Sequence, residues 1–350
     1  MKKYYTRVCN FAYGESSIKL VKKKINLPLN DNKDLSFSQI EIITRDEKKI
    51  IDLKDIKKLP KFLREKINQD LKIIIKKKNN FSNLNFKKIP NIMGILNLTP
   101  DSFSDGGKFN KKKAGLKHAL NLFKIGADIV DVGGESTRPG SKSISEKEEW
   151  SRIENIIRKL GKKIPLSVDT RKAEIMSKGV KVGIKLINDV SGLSYDSKTI
   201  DVLRKNKSPF VIQHSQGTPE NMQNNPKYKN ELLDIYDFFE QKIKFIRFKG
   251  IKHNNIIVDP GIGFGKNLKH NMNLIRGISI FHTLGFPILI GLSRKKFIKD
   301  LSGKNDTKER LGGTIASSLY SMTQGVQILR IHDVNELTQS IKVFKELIKS

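Results

Sequence analysis

Several shortages in this chain each exclude a class of protein. Cys9 is the one cysteine among 350 residues, so no intrachain disulfide or thiolate zinc cluster can form, and we expect a reducing, cytoplasmic compartment. No run of about 18 apolar residues occurs, which excludes a transmembrane helix. The amino terminus also lacks the apolar block of a secretory signal, so we expect a soluble protein that is not exported.

Acidic residues are also in short supply. The chain has 67 Lys and Arg against 36 Asp and Glu, a net charge of +31. Such a charge is compatible with nucleic acid or an anionic membrane surface as a partner. The lysines are scattered through helical stretches and turns, however, and no nucleic-acid-binding motif is present. We therefore interpret them as a solvated surface, expect no nucleic-acid or membrane partner, and expect the field to attract polyanionic substrates.

The sequence pattern changes near residue 90. Before it the chain is rich in Lys and Asn, with short β-like runs at Ile40–Thr44 and Leu71–Ile75 and no catalytic pattern. After Pro90 a short apolar strand, a polar loop and an amphipathic helical stretch alternate. We divide the chain into a catalytic domain, residues 89–350, and an extension, residues 1–88, whose role is unknown. The extension is too apolar for a disordered tail, so we expect a small α+β element packed against the main domain.

The sequence pattern of residues 89–350 predicts eight strands that alternate with helices. The predicted helices include Ala114–Ile125, Lys147–Leu160, Leu232–Lys249 and Gly312–Gln324, whose apolar residues recur at spacings of three and four. Eight such units over roughly 250 residues are typical of a (β/α)8 TIM barrel, with a doubly wound open sheet as the alternative. The predicted strands are Ile92–Asn97, Ile129–Val132, Leu166–Asp169, Leu186–Asn188, Phe210–Gln213, Ile256–Asp259, Ile288–Gly291 and Gln327–Ile331.

Every predicted strand ends in polar residues. In a (β/α)8 barrel the loops that follow the strands meet on one face, where active sites lie. One polar strand end could be a simple helix cap, but eight together predict a functional site on that face. In chain order the strands end at Asn97, Asp131 through Arg138, Asp169, Asn188, His214, Asp259, Ser293 through Lys295, and Arg330 with His332.

These residue types suit a heterocycle that carries phosphate. Buried carboxylates need donors, so a flat ring with adjacent N–H groups complements Asp169, Asn188 and Asp259. Arg330 and His332 lie two residues apart on a strand, hence on one side, and arginine matches pyrophosphate oxygens.

The sequence raises three further interpretations, a magnesium site, a zinc site and a nucleotide-binding loop, and only the magnesium site fits the residue pattern. Asn97 with Asp101 or Asp105 offers the hard oxygens that magnesium prefers. Zinc at His214 and His332 is disfavoured, since no His-x-x-x-His spacing is present. The segment 261–266 is not a phosphate-binding P-loop, because three residues rather than four separate its first and last glycines.

Seven ordered segments of the chain closely resemble the dihydropteroate synthases, the folate-pathway enzymes that sulfonamides inhibit. The resemblance covers roughly residues 90–350. It implies a transferase that condenses 6-hydroxymethyl-7,8-dihydropterin pyrophosphate with 4-aminobenzoate to 7,8-dihydropteroate and pyrophosphate. It also implies small-molecule substrates, Mg²⁺ and a homodimer. The segments are residues 93–107, 131–140, 167–170, 187–190, 259–266, 291–295 and 329–333.

The resemblance also implies roles for individual residues, which we carry over as expectations. The pterin site comprises Asp169, Asn188, Asp259 and Lys295. The pyrophosphate site comprises Asn97, Thr137, Arg138, Arg330 and His332, and the magnesium ligands are Asn97 and Asp101. The aminobenzoate pocket comprises Phe103, Ser104, Pro139, Gly263, Phe264 and Lys296. The catalytic residues are Asp169, Asp105, Arg138 and Lys295.

The chain departs from the family pattern at two places. Gln213-His214-Ser215 stands where many members have Met-His-Met, and Lys296 stands where Ser is usual. Three other functions remain open: a pterin-binding methyltransferase, which needs no pyrophosphate clamp; a catalytically silent paralogue; and a basic nucleic-acid-binding module. A fused pyrophosphokinase is disfavoured, because the extension is too short for that domain.

Overall fold

Eight parallel strands form a barrel in the computed structural model, which describes residues 2–99, 112–138 and 140–348. In the sheet, the first six strands lie in the order of the chain, and the eighth strand lies between the first and the seventh. A bridge between Val258 and Ile288 joins the two end strands and closes the ring. The strands are β5 Asn91–Asn97, β6 Ile129–Gly133, β7 Leu166–Asp169, β8 Leu186–Asp189, β9 Phe210–Gln213, β10 Ile256–Asp259, β11 Leu289–Gly291 and β12 Ile328–Ile331.

Helices cover the outside of this barrel. The strands read as apolar runs because one side faces the barrel interior and the other faces the helices, so most of their residues are buried. The (β/α)8 prediction is confirmed, and the doubly wound alternative is wrong. The helices are α3 Lys112–Lys124, α4 Glu146–Leu160, α5 Ala173–Lys181, α6 Thr199–Asn206, α7 Glu231–Phe248, α8 Leu268–Arg276, α9 Lys296–Ser302, α10 Leu311–Thr323 and α11 Val334–Leu347, with 3-10 turns at Ile278–Leu284 and Lys308–Arg310.

Residues just before the first barrel strand close the bottom of the barrel. Leu84 and Phe86 are buried in one cluster with residues from the amino-terminal halves of the barrel strands, among them Met93, Ile129 and Val211. Packing is therefore continuous across the boundary that we expected between residues 88 and 89, and the boundary itself stays a prediction.

A small antiparallel sheet precedes the barrel, which confirms the α+β extension. Its central strand β3 pairs with all three of the others. Leu71–Ile75, which the sequence indicated as β-like, is instead the end of α2: Leu63, Ile67, Leu71 and Ile74 recur at helical spacing and are buried. The elements are β1 Tyr5–Tyr13, α1 Gly14–Lys22, β2 Leu27–Leu29, β3 Asn32–Ile43, β4 Lys48–Asp52, a 3-10 helix Leu53–Lys58 and α2 Lys61–Ile75.

The extension lies against the outside of the barrel, over α7 and the 3-10 helix Ile278–Leu284. The Tyr5 ring meets the Tyr236 ring edge to face with centroids 5.3 Å apart, and the Tyr5 hydroxyl donates to Asp237 Oδ1 at 2.9 Å. Ser279 Oγ donates to the Val8 carbonyl at 2.8 Å. These contacts join side chains and backbone of both parts. Within the described ranges, no helix is long and apolar enough to cross a membrane.

Candidate active site

Four strand ends lie side by side at the carboxyl-terminal mouth of the barrel. Asn97 pairs in register with Gly133, Gly133 with Asp169, and Asp169 with Asn188. Because parallel strands in this register point equivalent residues the same way, the structure brings Asn97, Asp169 and Asn188 together as predicted. Asp259 ends β10 on the same face of the barrel.

Arg330, which is partly buried, is the centre of a charged cluster inside this mouth. Its Nε donates to Asp131 Oδ2 at 2.7 Å, and its Nη2 donates to Asp169 Oδ2 at 2.6 Å. Asn188 Nδ2 donates to the same Asp131 oxygen at 2.9 Å. Sequence reasoning noted Asp131 at a strand end but gave it no role. The available signal was the alternation of side chains along a strand. It puts Asp131 on the same face as Gly133, and Gly133 is in register with Asp169.

Three oxygen acceptors beside this cluster have no hydrogen-bond partner among the described residues. They are Asp131 Oδ1, Asp169 Oδ1 and Asn188 Oδ1, all fully buried. An unsatisfied buried acceptor costs about 1–3 kcal/mol, and more when it is charged. A fold that keeps three together is expected to recover this cost from a ligand that carries several N–H donors.

Burial shifts the pKa values of the charged groups in the mouth. It raises the pKa of the Asp169 carboxyl, while the Arg330 guanidinium opposes that shift. Burial likewise raises the pKa of Asp259 to about 6, with the Gly261 N–H and Lys295 acting in the opposite direction. Burial and the nearby Arg330 lower the pKa of Lys295 to about 8. Both signs of charge therefore meet in one poorly hydrated space.

The loop after β10 forms one wall of the mouth. Lys295 Nζ lies 4.2 Å from the Phe264 ring centroid, above its face, which is a cation–π arrangement. Gly261 has a φ of +67°, and a Cβ there would lie 2.0 Å from the His214 carbonyl oxygen, so the position requires glycine. The buried Lys266 Nζ donates to the Phe264 carbonyl at 2.8 Å and contacts His214 Nδ1 at 3.0 Å. These contacts fix the wall to the neighbouring loop.

His332 directly follows the last strand, β12, and is held by Ser293. The Ser293 hydroxyl accepts from the His332 backbone N–H at 3.2 Å and contacts His332 Nδ1 at 2.9 Å. If the hydroxyl donates to Nδ1, the proton of the neutral ring lies on Nε2, which has no partner among the described residues. Burial, then Arg294, Arg330 and Arg138, lower the pKa of His332.

Some of the remaining predicted site residues are described by the structure, and five are not. Gly263 and Phe264 adjoin Lys295, whereas Lys296 begins α9 and is exposed. Thr137 and Arg138 lie in the loop after β6, where the Arg138 carbonyl accepts from Ser141 Oγ at 2.7 Å. Five predicted positions, Asp101, Phe103, Ser104, Asp105 and Pro139, lie outside the described residues.

Comparison with known proteins adds a second line of support to this geometry. The family model for pterin binding enzymes matches residues 93–332. A dihydropteroate synthase from Synechocystis is 40% identical over 254 residues, which covers 72% of this chain and 88% of that protein. The chain belongs to the dihydropteroate synthase family. Residues 1–92 lie outside the matched family model.

Solved dihydropteroate synthases share the fold as well. A Yersinia pestis dihydropteroate synthase in complex with a sulfonamide drug superposes with a TM-score of 0.73 at 38% identity, covering 76% of this chain and 97% of that one. A Xanthomonas albilineans dihydropteroate synthase in complex with 7,8-dihydropteroate gives a TM-score of 0.67 at 33% identity, covering 75% and 95%. Membership of the family explains why polar residues end every barrel strand.

Proposed function

We propose that this chain condenses 6-hydroxymethyl-7,8-dihydropterin pyrophosphate with 4-aminobenzoate, giving 7,8-dihydropteroate and pyrophosphate. As a member of the dihydropteroate synthase family it is a transferase of folate biosynthesis. The observation that carries the proposal is the set of three unpaired acceptors beside Arg330. The 2-amino group and ring N–H of a pterin supply adjacent donors of the kind that these oxygens lack. The test is formation of 7,8-dihydropteroate from the two substrates.

The pterin ring would lie among Asp169, Asn188, Asp259 and Lys295. The carboxylates and the Asn188 oxygen accept from the ring N–H groups, and the Lys295 ammonium donates to a ring carbonyl or nitrogen. When the methylene carbon loses its bond to the pyrophosphate oxygen, positive charge spreads over the ring. The Asp169 carboxylate would stabilise that charge, and the Arg330 guanidinium, which donates to it, favours the ionised form against the effect of burial on the Asp169 pKa.

The leaving pyrophosphate would meet Thr137, Arg138, Arg330 and His332. Arg138 and the His332 Nε2 proton donate to its oxygens, which stabilises the charge that builds as the C–O bond breaks. Arg330 uses its Nε and Nη2 for Asp131 and Asp169, so Nη1 is the group that we assign to pyrophosphate. The amine of 4-aminobenzoate then forms the new C–N bond at the methylene carbon and loses a proton.

We propose that Mg²⁺ binds at this end of the mouth, with Asn97 and Asp101 as its protein ligands. The described residues contain no cluster of three His, Cys, Asp or Glu side chains that could hold a metal. Magnesium does not require one, since it usually takes one or two protein oxygens and fills its other positions with water and phosphate. Bound there, the ion would neutralise charge on the pyrophosphate.

Removal of divalent metal should weaken the binding of inorganic pyrophosphate by about tenfold or more. Titration calorimetry with and without EDTA measures this, and added magnesium should restore the affinity. In an Asn97→Ala variant the affinity should depend much less on magnesium. An affinity that is the same with EDTA and with magnesium would contradict the metal assignment.

The aminobenzoate pocket would be formed by Gly263, Phe264 and Lys296 together with Phe103, Ser104 and Pro139, which come from the two loops after β5 and β6. We infer that these loops complete the pocket only after pyrophosphate is bound, so that substrates bind in order. Lys296, which is exposed at the start of α9, would pair with the carboxylate of 4-aminobenzoate, the substrate with which a sulfonamide would compete.

Arg138→Ala should weaken pyrophosphate binding by about ten- to a hundredfold, the effect of losing one or two charge-assisted hydrogen bonds. Binding of 4-aminobenzoate in the presence of pyrophosphate should weaken with it. Calorimetric titration of each ligand, alone and together, measures both effects. Arg158→Ala is the matched control, because Arg158 pairs with Glu154 on the exposed face of α4. Equal aminobenzoate affinity with and without pyrophosphate would rule out ordered binding.

We also propose a homodimer that works in the cytoplasm on small-molecule substrates. Val343 and Leu347 on α11 support the dimer, since these large apolar side chains are 57% and 76% exposed. Sedimentation analysis should give twice the chain mass of 39.8 kDa. Cys9 as the single thiol supports a reducing compartment.

A further inference from the structure

Four charged side chains form a second buried cluster, behind the mouth and apart from the Arg330 cluster. They are Glu135, Glu149, Arg171 and Lys172, each at most 8% exposed. Lys172 Nζ donates to Glu135 Oε1 at 2.8 Å and to Glu149 Oε2 at 2.6 Å. Arg171 Nε donates to Glu135 Oε2 at 2.9 Å. Two carboxylates and two cations cancel, so the cluster is a neutral buried unit.

Glu135 is the member that touches the most groups. Besides Arg171 and Lys172, its Oε1 accepts from the Ile144 N–H at 3.0 Å and from Ser143 Oγ at 3.2 Å. Glu135 lies near the start of the loop after β6, and Ser143 and Ile144 lie near its end. One carboxylate therefore connects the two ends of this loop. Thr137 and Arg138 lie between those ends.

The other members belong to rigid parts of the barrel. Glu149 lies in the first turn of α4, and Lys172 immediately precedes α5. A Cβ on Gly134 would lie 2.8 Å from the Glu149 carbonyl oxygen, so the chain beside Glu135 is pressed against α4. Arg152 on α4 also donates to the Gly134 carbonyl at 2.8 Å. The loop is therefore anchored to helices and not to other loops alone.

A third loop covers the cluster. The Arg171 guanidinium carbon lies 4.1 Å from the centroid of the Tyr195 ring, which follows β8. The Tyr195 hydroxyl is 3.5 Å from Ser143 Oγ. Residues after three consecutive strands thus meet around Glu135: Arg171 and Ser143 donate to its carboxylate, and Tyr195 contacts both of them.

We propose that Glu135 is a positioning residue, which holds the loop after β6 in the conformation that presents Thr137 and Arg138 to pyrophosphate. The inference rests on the proposed function and deepens it at the pyrophosphate site. The Glu135 carboxylate bonds to Arg171 and Lys172, which lie just before α5, and to Ser143 and the Ile144 N–H farther along its own loop. Its effect on the ligand passes through the backbone between Glu135 and Ser143, which is short enough for both anchors to restrict it.

Glu135→Gln keeps the shape of the side chain but removes the charge that Arg171 and Lys172 share. Calorimetry should show binding of inorganic pyrophosphate weakened about tenfold or more. Binding of 6-hydroxymethyl-7,8-dihydropterin, which lacks pyrophosphate, should change less than about twofold. Glu135→Asp, which retains the charge, should recover part of the lost affinity. Glu154→Gln, on the exposed face of α4, is the matched control and should change neither ligand.

A double-mutant test separates positioning from general destabilisation. In an Arg138→Ala background, Glu135→Gln should weaken pyrophosphate binding much less than it does alone, because the group that it positions is gone. If Glu135→Gln does not fold, Arg171→Gln is the second variant, since Arg171 lies at the edge of the cluster, and it should show the same selective loss.

Unchanged pyrophosphate affinity, or equal loss of both ligands, in the variant that folds would overturn the proposal. Full additivity with Arg138→Ala would overturn it too. The Glu135 test compares the ligand affinities of variants and does not use turnover. A wild-type chain that binds both ligands yet forms no 7,8-dihydropteroate would therefore contradict the proposed function and leave the Glu135 proposal standing.

Discussion

Asp169→Asn should lower kcat/KM for 7,8-dihydropteroate formation by about 100-fold or more, the scale found when one preorganised electrostatic group is removed. The amide has the shape of the carboxylate but no charge, so the cationic pterin loses its stabilising partner. The variant also replaces an acceptor of the Arg330 Nη2 hydrogen bond, which is 2.6 Å long in the native chain. Steady-state kinetics with both substrates and a thermal melt of the same sample measure the effect.

Asp201→Asn is a suitable control for this variant. Asp201 lies on α6, is exposed and pairs with Arg204 near the helix surface, so its loss should leave turnover within about twofold, as for most surface substitutions. A folded Asp169→Asn protein with near-normal turnover would contradict the placement of the pterin ring beside Asp169. An unfolded one would instead show that Arg330 depends on both carboxylates for stability, and Asp169→Glu would then replace it as the test.

Most of the barrel could be predicted from the sequence because each strand is short, apolar and followed by polar residues. The predicted strands end within one residue of the observed ones, as at Leu166–Asp169 and Phe210–Gln213, which agree at both ends. Leu71–Ile75 was wrong because an apolar run of that length fits a strand or a buried helix turn equally well. The preceding Leu63 and Ile67, at helical spacing, were the signal that decides between them.

The candidate site was predictable where position along a strand decides it. Asn97, Asp169 and Asn188 were grouped correctly because strand ends in register must meet. The pairing of Arg330 with Asp131 was not predictable, since the direction of a long side chain depends on which carboxylates surround it. Their roles toward substrates stay predictions.

The Glu135 cluster could not be found from spacing either. Its ion pairs join residues 23, 36 and 37 positions apart, and α4 and β7 lie between Glu135 and its two cationic partners. No periodicity relates such positions, and charged residues in loops usually face solvent. Only the closed barrel, which brings consecutive loops together, gives these four side chains a common buried space.

Removing the extension should lower the melting temperature by about 10 °C or more, while kcat/KM changes by less than about twofold. A chain that begins at Asn79 loses the sheet and α2 but keeps Leu84 and Phe86 at the bottom of the barrel. The deletion uncovers Tyr236 and removes the hydrogen bonds to Asp237 and Ser279. Activity should persist because these contacts lie on the outer helices, away from the strand ends that carry Asp169 and Asn188.

A chain that begins at Lys87 provides the comparison, since it also lacks Leu84 and Phe86. Both side chains are at most 2% exposed, and loss of a buried Leu and Phe costs several kcal/mol. This shorter chain should melt well below the one that begins at Asn79, or fail to fold. Equal melting temperatures for the full chain and the Asn79 chain would show that the extension does not support the barrel. If the Asn79 chain stayed folded and bound the pterin pyrophosphate but lost all turnover, the extension would have to act on the chemistry, and the division near residue 88 would separate parts of one catalytic unit.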